Sequence, residues 1–170
     1  MPQSGDNVHK NVHNFAKVVC GTDFERKTPM LKGTFHHNID VKGRVIIPAK
    51  LREGLGDSFV ASKDSDGCIK IYSTAQWAAK GEELSSMRGQ VAKSLQRKIF
   101  SEAEDCELDA QGRTLIPAPL REHADIKKEV VIIGVNTHVE IWDKDRWSEF
   151  SNQEIFDSEE MARIMEDLGL

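Results

Sequence analysis

Long apolar runs are missing from this 170-residue chain. No stretch approaches the roughly eighteen to twenty apolar residues that a membrane-spanning helix needs. Nor does the start show the basic-then-apolar order of a secretory leader. Cysteine is scarce: Cys20, Cys68 and Cys106 stand far apart, with no CxxC pair and no histidine at zinc spacing. That excludes a disulfide framework and a zinc ribbon, and it fits a reducing compartment. Cys68 and Cys106 read as small apolar strand residues. Also missing are a glycine-rich phosphate loop, a Ser-His-Asp order and a Cys–His signature, so no enzyme class is indicated. His36-His37 and His9-x-x-x-His13 each lack a third ligand, and no metal site is expected. The expectation is a cytoplasmic protein with no cofactor, no small-molecule substrate and no membrane contact.

What is present is an uneven charge. The net charge of −5 argues at first against nucleic acid. Its distribution matters more than its sum. Between Met30 and Gly56 stand Lys32, Lys42, Arg44, Lys50 and Arg52 against only Asp40 and Glu53. From His138 onward, ten acidic residues face three basic ones. A phosphate backbone responds to the local basic face, because remote charges are screened beyond a Debye length of about 8 Å.

An internal repeat organises the chain. Asp40-Val-Lys-Gly-Arg-Val-Ile-Ile-Pro-Ala-Lys-Leu-Arg-Glu53 recurs as Asp109-Ala-Gln-Gly-Arg-Thr-Leu-Ile-Pro-Ala-Pro-Leu-Arg-Glu122. Nine of the fourteen positions are identical at an offset of 69. A second block, Cys68 to Trp77, recurs from His138 to Trp147 at an offset of 70, keeping its Ile–aromatic pair and closing Trp. A repeat of this length is one supersecondary unit, and such a unit buries little surface alone. Two in tandem can pair as one pseudo-symmetric body with a shared core.

Each repeat also has a local reading. Phe35 to Ile39 and Val45 to Ile47 are short strands around a tight Asp40–Arg44 turn, where Gly43 suits a positive φ. Pro48 ends the second strand and opens a short helix that Gly54 or Gly56 stops. Phe59 to Ala61 and Ile69 to Tyr72 form a hairpin around Lys63–Gly67. Ser73 or Thr74 then caps a helix containing Trp77. The second repeat follows suit: strands at Cys106–Leu108, Arg113–Ile116, Val130–Val135 and Val139–Trp142, a short helix over Pro117–Glu122, and a helix from about Asp143. Between the repeats, Leu84, Met87, Val91, Leu95 and Ile99 predict one amphipathic helix. Asp157 to Leu168 predicts a second, acidic one.

These residues carry a resemblance. Met30 to Glu53, with Glu107 to Pro117 as its second copy, resembles the MraZ family, with the shared Asp-x-x-x-Arg at Asp40/Arg44 and Asp109/Arg113. The resemblance implies a mixed α+β, mainly β fold, a double-split β pseudo-barrel of two AbrB-like repeats capped by helices. It implies a regulator of the division and cell-wall gene cluster that binds short direct repeats of double-stranded promoter DNA and forms a ring-shaped homo-oligomer at the nucleoid. On this reading 34–77 and 105–148 are the two half-domains, 78–100 the connecting helix and 149–170 an acidic C-terminal helix. Residues 1–29 have no counterpart in the pattern. They are expected to be a disordered extension, or to follow an upstream start codon with Met30 as the true initiator.

The expected DNA contacts follow from chemistry. The planar fork of Arg44 suits guanine or phosphate, with Gly43 allowing close approach. Lys42 suits phosphate as a point charge. Lys50, Arg52 and Lys32 could add backbone contacts, and Arg113 and Arg121 are their counterparts in the second repeat. Asp40, Gly43, Asp109 and Gly112 are expected to structure the turns. Arg44 could instead simply pair with Asp40, and Arg113 with Asp109; Arg52 and Arg121 could be exposed helix residues beside Glu53 and Glu122. Lys42 and Lys50 give way to Gln111 and Pro119, so contact should rest mainly on the first half. The alternative function is an AbrB-type antitoxin that binds a toxin and its own operator.

Overall fold

A computed structural model describes residues 29–153 and 158–170. The expectations for residues 1–28 lie outside this range. Strands β1 (Leu31–Asn38) and β2 (Arg44–Ile46) lead into helix α1 (Ala49–Leu55), hairpin β3 (Ser58–Lys63) and β4 (Ile69–Ser73), and helices α2 (Thr74–Ser86) and α3 (Gln90–Ser101). The second repeat gives β5 (Glu104–Glu107), β6 (Arg113–Leu115), α4 (Ala118–His123), β7 (Glu129–Asn136), β8 (His138–Asp143), α5 (Lys144–Ser151) and α6 (Glu159–Leu168).

Strand pairing interleaves the repeats. The large antiparallel sheet runs β1-β7-β8-β4-β3-β5, and β2 pairs with β6 in a separate ribbon. Among the described residues, only β3–β4 and β7–β8 are pairings within one repeat. Strand β1 lies on the second repeat's β7, and β5 on the first repeat's β3. At the corners the backbone repeats the exchange: Ile47 N–H donates to Gly112 O at 3.0 Å, and Ile116 N–H to Gly43 O at 2.9 Å. The chain turns from β1 into β2 and from β5 into β6, so the ribbon bridges the two edges of the large sheet. The ladder does not close: the pseudo-barrel is an open pair of sheets, mixed α+β and mainly β.

The core lies between the sheets. Ile47 and Ile116, Leu51 and Leu120 are repeat-equivalent pairs, all nearly inaccessible. Pro48 and Pro117 precede α1 and α4 with φ of −52° and −56°, which proline adopts without strain. On the outer face of the large sheet, α2 sets Trp77 against Tyr72, with ring centroids 5.7 Å apart, and α5 sets Phe150 against Trp142 at 4.7 Å. Ser73 and Asp143 cap these helices, accepting from Gln76 N–H at 3.3 Å and Asp145 N–H at 3.0 Å. Burial pushes the Cys106 thiol up to about 11 and raises that of Cys68 as well, so both behave as small apolar side chains.

Two expectations change. The stripe from Leu84 to Ile99 is not one helix. The chain breaks between Ser86 and Gln90, where Met87 is extended and Gly89 has φ +101°. Leu84 on α2 is buried, whereas Val91 on α3 is exposed. Likewise, 149–170 holds the end of α5 and the separate α6 rather than one helix.

Because β1 and β5 reach the sheet only through the other repeat, neither repeat contains a complete sheet. Expressed separately, residues 30–98 and 99–170 should each show no cooperative thermal transition, and together they should recover one, as followed by circular dichroism.

Candidate nucleic-acid interface

The two Asp-x-x-x-Arg turns are built alike. Asp40 Oδ1 accepts from the backbone N–H of Lys42 and of Arg44, each at 2.9 Å. Its Oδ2 accepts from Arg44 Nε at 2.8 Å and pairs with Nη2 at 2.7 Å. Asp109 repeats every bond, with Gln111 N–H at 2.9 Å, Arg113 N–H at 2.9 Å, Nε at 2.8 Å and Nη2 at 2.8 Å. Aspartate suits this position because a short carboxylate reaches backbone amides two and four residues on. Arginine suits the other because its fork meets one carboxylate oxygen side-on and keeps further N–H groups on its far edge. The Arg44 backbone N–H, and then its guanidinium, hold the Asp40 carboxyl at about 2, below its ordinary 3.8. The same causes lower Asp109.

Register places both arginines on one surface. Arg44 lies opposite Leu115 and Ile46 opposite Arg113, with Val45 and Thr114 between them. Side chains directly opposite share a face and alternate along the strand. Val45 and Thr114 are buried, while Ile46 and Leu115 are exposed. The outer face of the ribbon therefore carries Arg44 and Arg113 on one diagonal, Ile46 and Leu115 on the other. Val41, at the tip of the first turn, is fully exposed.

Four expected contacts are placed otherwise. Arg52 and Arg121 are half-buried clamps rather than exposed helix residues. Arg52 Nε donates to Ile47 O at 2.7 Å and Arg121 Nε to Ile116 O at 3.0 Å. Each guanidinium lies against the glycine of the opposite repeat's turn: Arg121 beneath Gly43, Arg52 beneath Gly112. These glycines have φ of +81° and +72°, and a Cβ on Gly43 would come within 2.9 Å of Arg121 Cζ. The glycine thus serves both the left-handed turn and the arginine under it. Lys50 is exposed on α1, which follows Ile47 at the Gly112 corner, so it stands beside the second turn rather than its own. Lys32 sits at the opposite end of β1, opposite Val135. Eight residues of strand separate it from Asp40, about 26 Å. The geometry does not bring it to the turns.

Pairing also supplies residues that linear reading missed. Ile39 N–H donates to Lys128 O at 2.9 Å, so Lys127 and Lys128 flank the first turn. Both are exposed; Lys127 lies 3.8 Å from Asp145 and 3.9 Å from Asp125. At the second turn the matching bond runs from Leu108 N–H to Asp57 O at 2.9 Å, an acidic residue in the equivalent place. The first turn thus has a cationic flank, the second an acidic one. The adjacent His36 and His37 point to opposite faces of β1, because strand side chains alternate.

Two outcomes test this geometry. Gly112→Ala and Gly43→Ala should each lower stability by about 1–3 kcal/mol in denaturant unfolding, since each Cβ meets both a strained φ and a guanidinium. Asp40 contributes stability that is complete above its unfolded value of 3.8 and is lost as pH falls through about 2. Its carboxyl carbon should therefore titrate near 2 by NMR, with no change between pH 5 and 8. In Arg44→Ala the midpoint should move up toward 3.8.

Comparison with known proteins places this architecture. The family model described as "MraZ protein, putative antitoxin-like" matches residues 30–98 and again 99–167, the two repeats found above. A transcriptional regulator MraZ of Thermoanaerobacter sp. (strain X514) is 47% identical over 143 residues, 83% of this chain and 100% of that protein. One of Symbiobacterium thermophilum is 48% identical over 139 residues, 81% of this chain and 99% of that protein. One of Heliobacterium modesticaldum is 45% identical, covering 83% of this chain and 100% of that protein. With both repeats matched and near-complete relatives aligned, the chain belongs to the MraZ family.

Proposed function

We propose that this protein is a sequence-specific regulator of transcription that reads short direct repeats in double-stranded DNA upstream of its own operon, in the division and cell-wall gene cluster. It would act at the nucleoid in the cytoplasm, as a ring-shaped homo-oligomer. The observation that carries the DNA-binding reading is the outer face of the β2–β6 ribbon, with Arg44 and Arg113 each held by its own aspartate. A two-stranded ribbon fits the major groove. Arginine positioned before binding loses less side-chain freedom on contact. Arg44 would offer its far edge to guanine, and Val41 or Ile46 an apolar contact to a thymine methyl. Lys42 and Lys128 would meet phosphates beside it, with Lys50 and Arg113 as weaker contacts at the second turn. Arg52 and Arg121 act beneath the turns and do not touch DNA.

A single such face binds weakly. Several copies on regularly spaced repeats gain through avidity, by ~10²–10⁴ when the spacing matches. Repeats about one helical turn apart would present every site on the same side of the duplex. The family description favours one second reading, an antitoxin that binds a toxin and its own operator. A toxin gene beside this one would support it, and division and cell-wall genes downstream would support the regulator.

Fluorescence anisotropy at several salt concentrations tests the reading. Wild type should prefer its upstream DNA to a scrambled duplex, and Arg44→Ala should lose about 1–3 kcal/mol of that preference per engaged subunit. Lys128→Ala should weaken both duplexes alike and reduce the salt slope by about one. Equal binding of wild type to both duplexes would overturn the regulator reading.

A further inference from the structure

Each Asp-x-x-x-Arg turn holds its own arginine, yet part of its backbone is held by the other repeat. In the first turn Asp40 accepts from the amides of Lys42 and Arg44 and leaves Gly43, between them, without a side-chain contact to its own repeat. Gly43 has φ +81°, and a glycine does not keep one such conformation unaided. Repeat two supplies what is missing. Ile116 N–H donates to Gly43 O at 2.9 Å, and Ile116 O accepts from Arg121 Nε at 3.0 Å. A Cβ on Gly43 would sit 2.9 Å from both Nε and Cζ of Arg121, so the guanidinium fills the space beneath the turn.

The carrier of this guanidinium is fixed. Helix α4 buries Leu120 in the core, and Ala124 just past its end is inaccessible. Arg146 of α5 donates from Nη1 to His123 O at 3.3 Å, tying down the last turn of α4. Arg52 repeats the design under the second turn: Ile47 N–H donates to Gly112 O at 3.0 Å, and Arg52 Nε to Ile47 O at 2.7 Å. The braces are alike, but the turns above them differ. Lys42 and Lys128 flank the first, Gln111 and Asp57 the second.

We propose that Arg121 is the positioning residue for Arg44, so that recognition of DNA at the first turn is set from the second repeat, while Arg52 does the same for Arg113 at the lesser contact. This rests on the DNA-binding reading above and names the residues that aim its arginines. Arg121 acts through the Gly43 peptide on which Arg44 stands, not by contact with DNA. A guanidinium already aimed loses less freedom on binding, and for one long side chain that freedom is worth roughly two- to ten-fold in affinity. The two braces should therefore have unequal effects on DNA, and the larger should come from the repeat that offers the weaker contact.

The test compares Arg121→Met and Arg52→Met in the full chain. Methionine keeps an apolar stem in each site and removes the fork, so both variants should keep a cooperative thermal transition. If Arg121→Met does not fold, Arg121→Lys carries the same measurements. NMR of the aspartate carboxyl carbons reads each turn. Arg121→Met should raise the Asp40 midpoint from about 2 toward 3.8 and leave Asp109 in place. Arg52→Met should raise Asp109 and leave Asp40. Arg121→Lys restores the charge without the fork and should behave like the methionine variant; full recovery by lysine would overturn positioning in favour of charge alone. On the upstream duplex, Arg121→Met should weaken binding by roughly three- to ten-fold per engaged subunit with an unchanged salt slope, and Arg52→Met by less than about two-fold. In an Arg44→Ala background the effect of Arg121→Met should vanish, because the two residues act as one unit. A shallower salt slope for Arg121→Met, an undiminished effect without Arg44, equal losses from the two methionine variants, or titrations that do not cross between repeats would each overturn the proposal. Equal binding of wild type to its upstream duplex and a scrambled one would count against the regulator reading alone, and the crossed titrations would still decide whether Arg121 positions Arg44.

Discussion

The structure depends on exchange of strands between the repeats. Strand β1 has its hydrogen-bond partner in the second repeat and β5 in the first, while β2 and β6 pair only with each other. A repeat alone would leave these edges unsatisfied, and unpaired backbone groups are costly once buried. The exchange makes one core from two small units and sets the Asp-x-x-x-Arg turns at adjacent corners. Each turn is then braced from below by an arginine of the other repeat. The braces, Arg52 and Arg121, couple the folding of the two halves to the shape of the exposed surface.

That surface shows how near-identical repeats can divide labour. The aspartate–arginine bonds differ by at most 0.1 Å between the two turns. The flanks differ in charge: Lys42 and Lys128 at the first, Gln111 and Asp57 at the second. Backbone geometry is shared, and the first turn carries the more cationic flank. The net charge of −5 conceals this, since the excess acid includes α6, a separate element at the chain's end.

Much of the fold was legible because the repeat is visible by eye and each unit carries strong local signals. Pro48 and Pro117 start short helices, Gly43 and Gly112 mark turns, and Ser73 caps α2. What escaped was non-local. Arg52 sits four residues after proline in an apparently exposed helix, and nothing nearby shows that it lies under Gly112, sixty positions on. Lys128 lies far from the first turn in sequence and reaches it only because β1 pairs with β7. Lys32 was grouped with the other cations by proximity in sequence, yet strand length carries it away. The helix predicted across Leu84–Ile99 failed for a local reason: Gly89 takes a φ of +101°, and periodicity alone does not weigh such a break.

The central claim is that DNA meets the ribbon and its first turn, not the far end of the large sheet. A photo-reactive amino acid placed singly at Val41, Leu115 or Val135 of the full chain tests this most directly. Val41 and Leu115 lie on the turn and ribbon face, and Val135 lies beside Lys32 at the other end of β1. The account predicts DNA adducts from Val41 and Leu115 and none from Val135. Adducts from Val135 alone would contradict it.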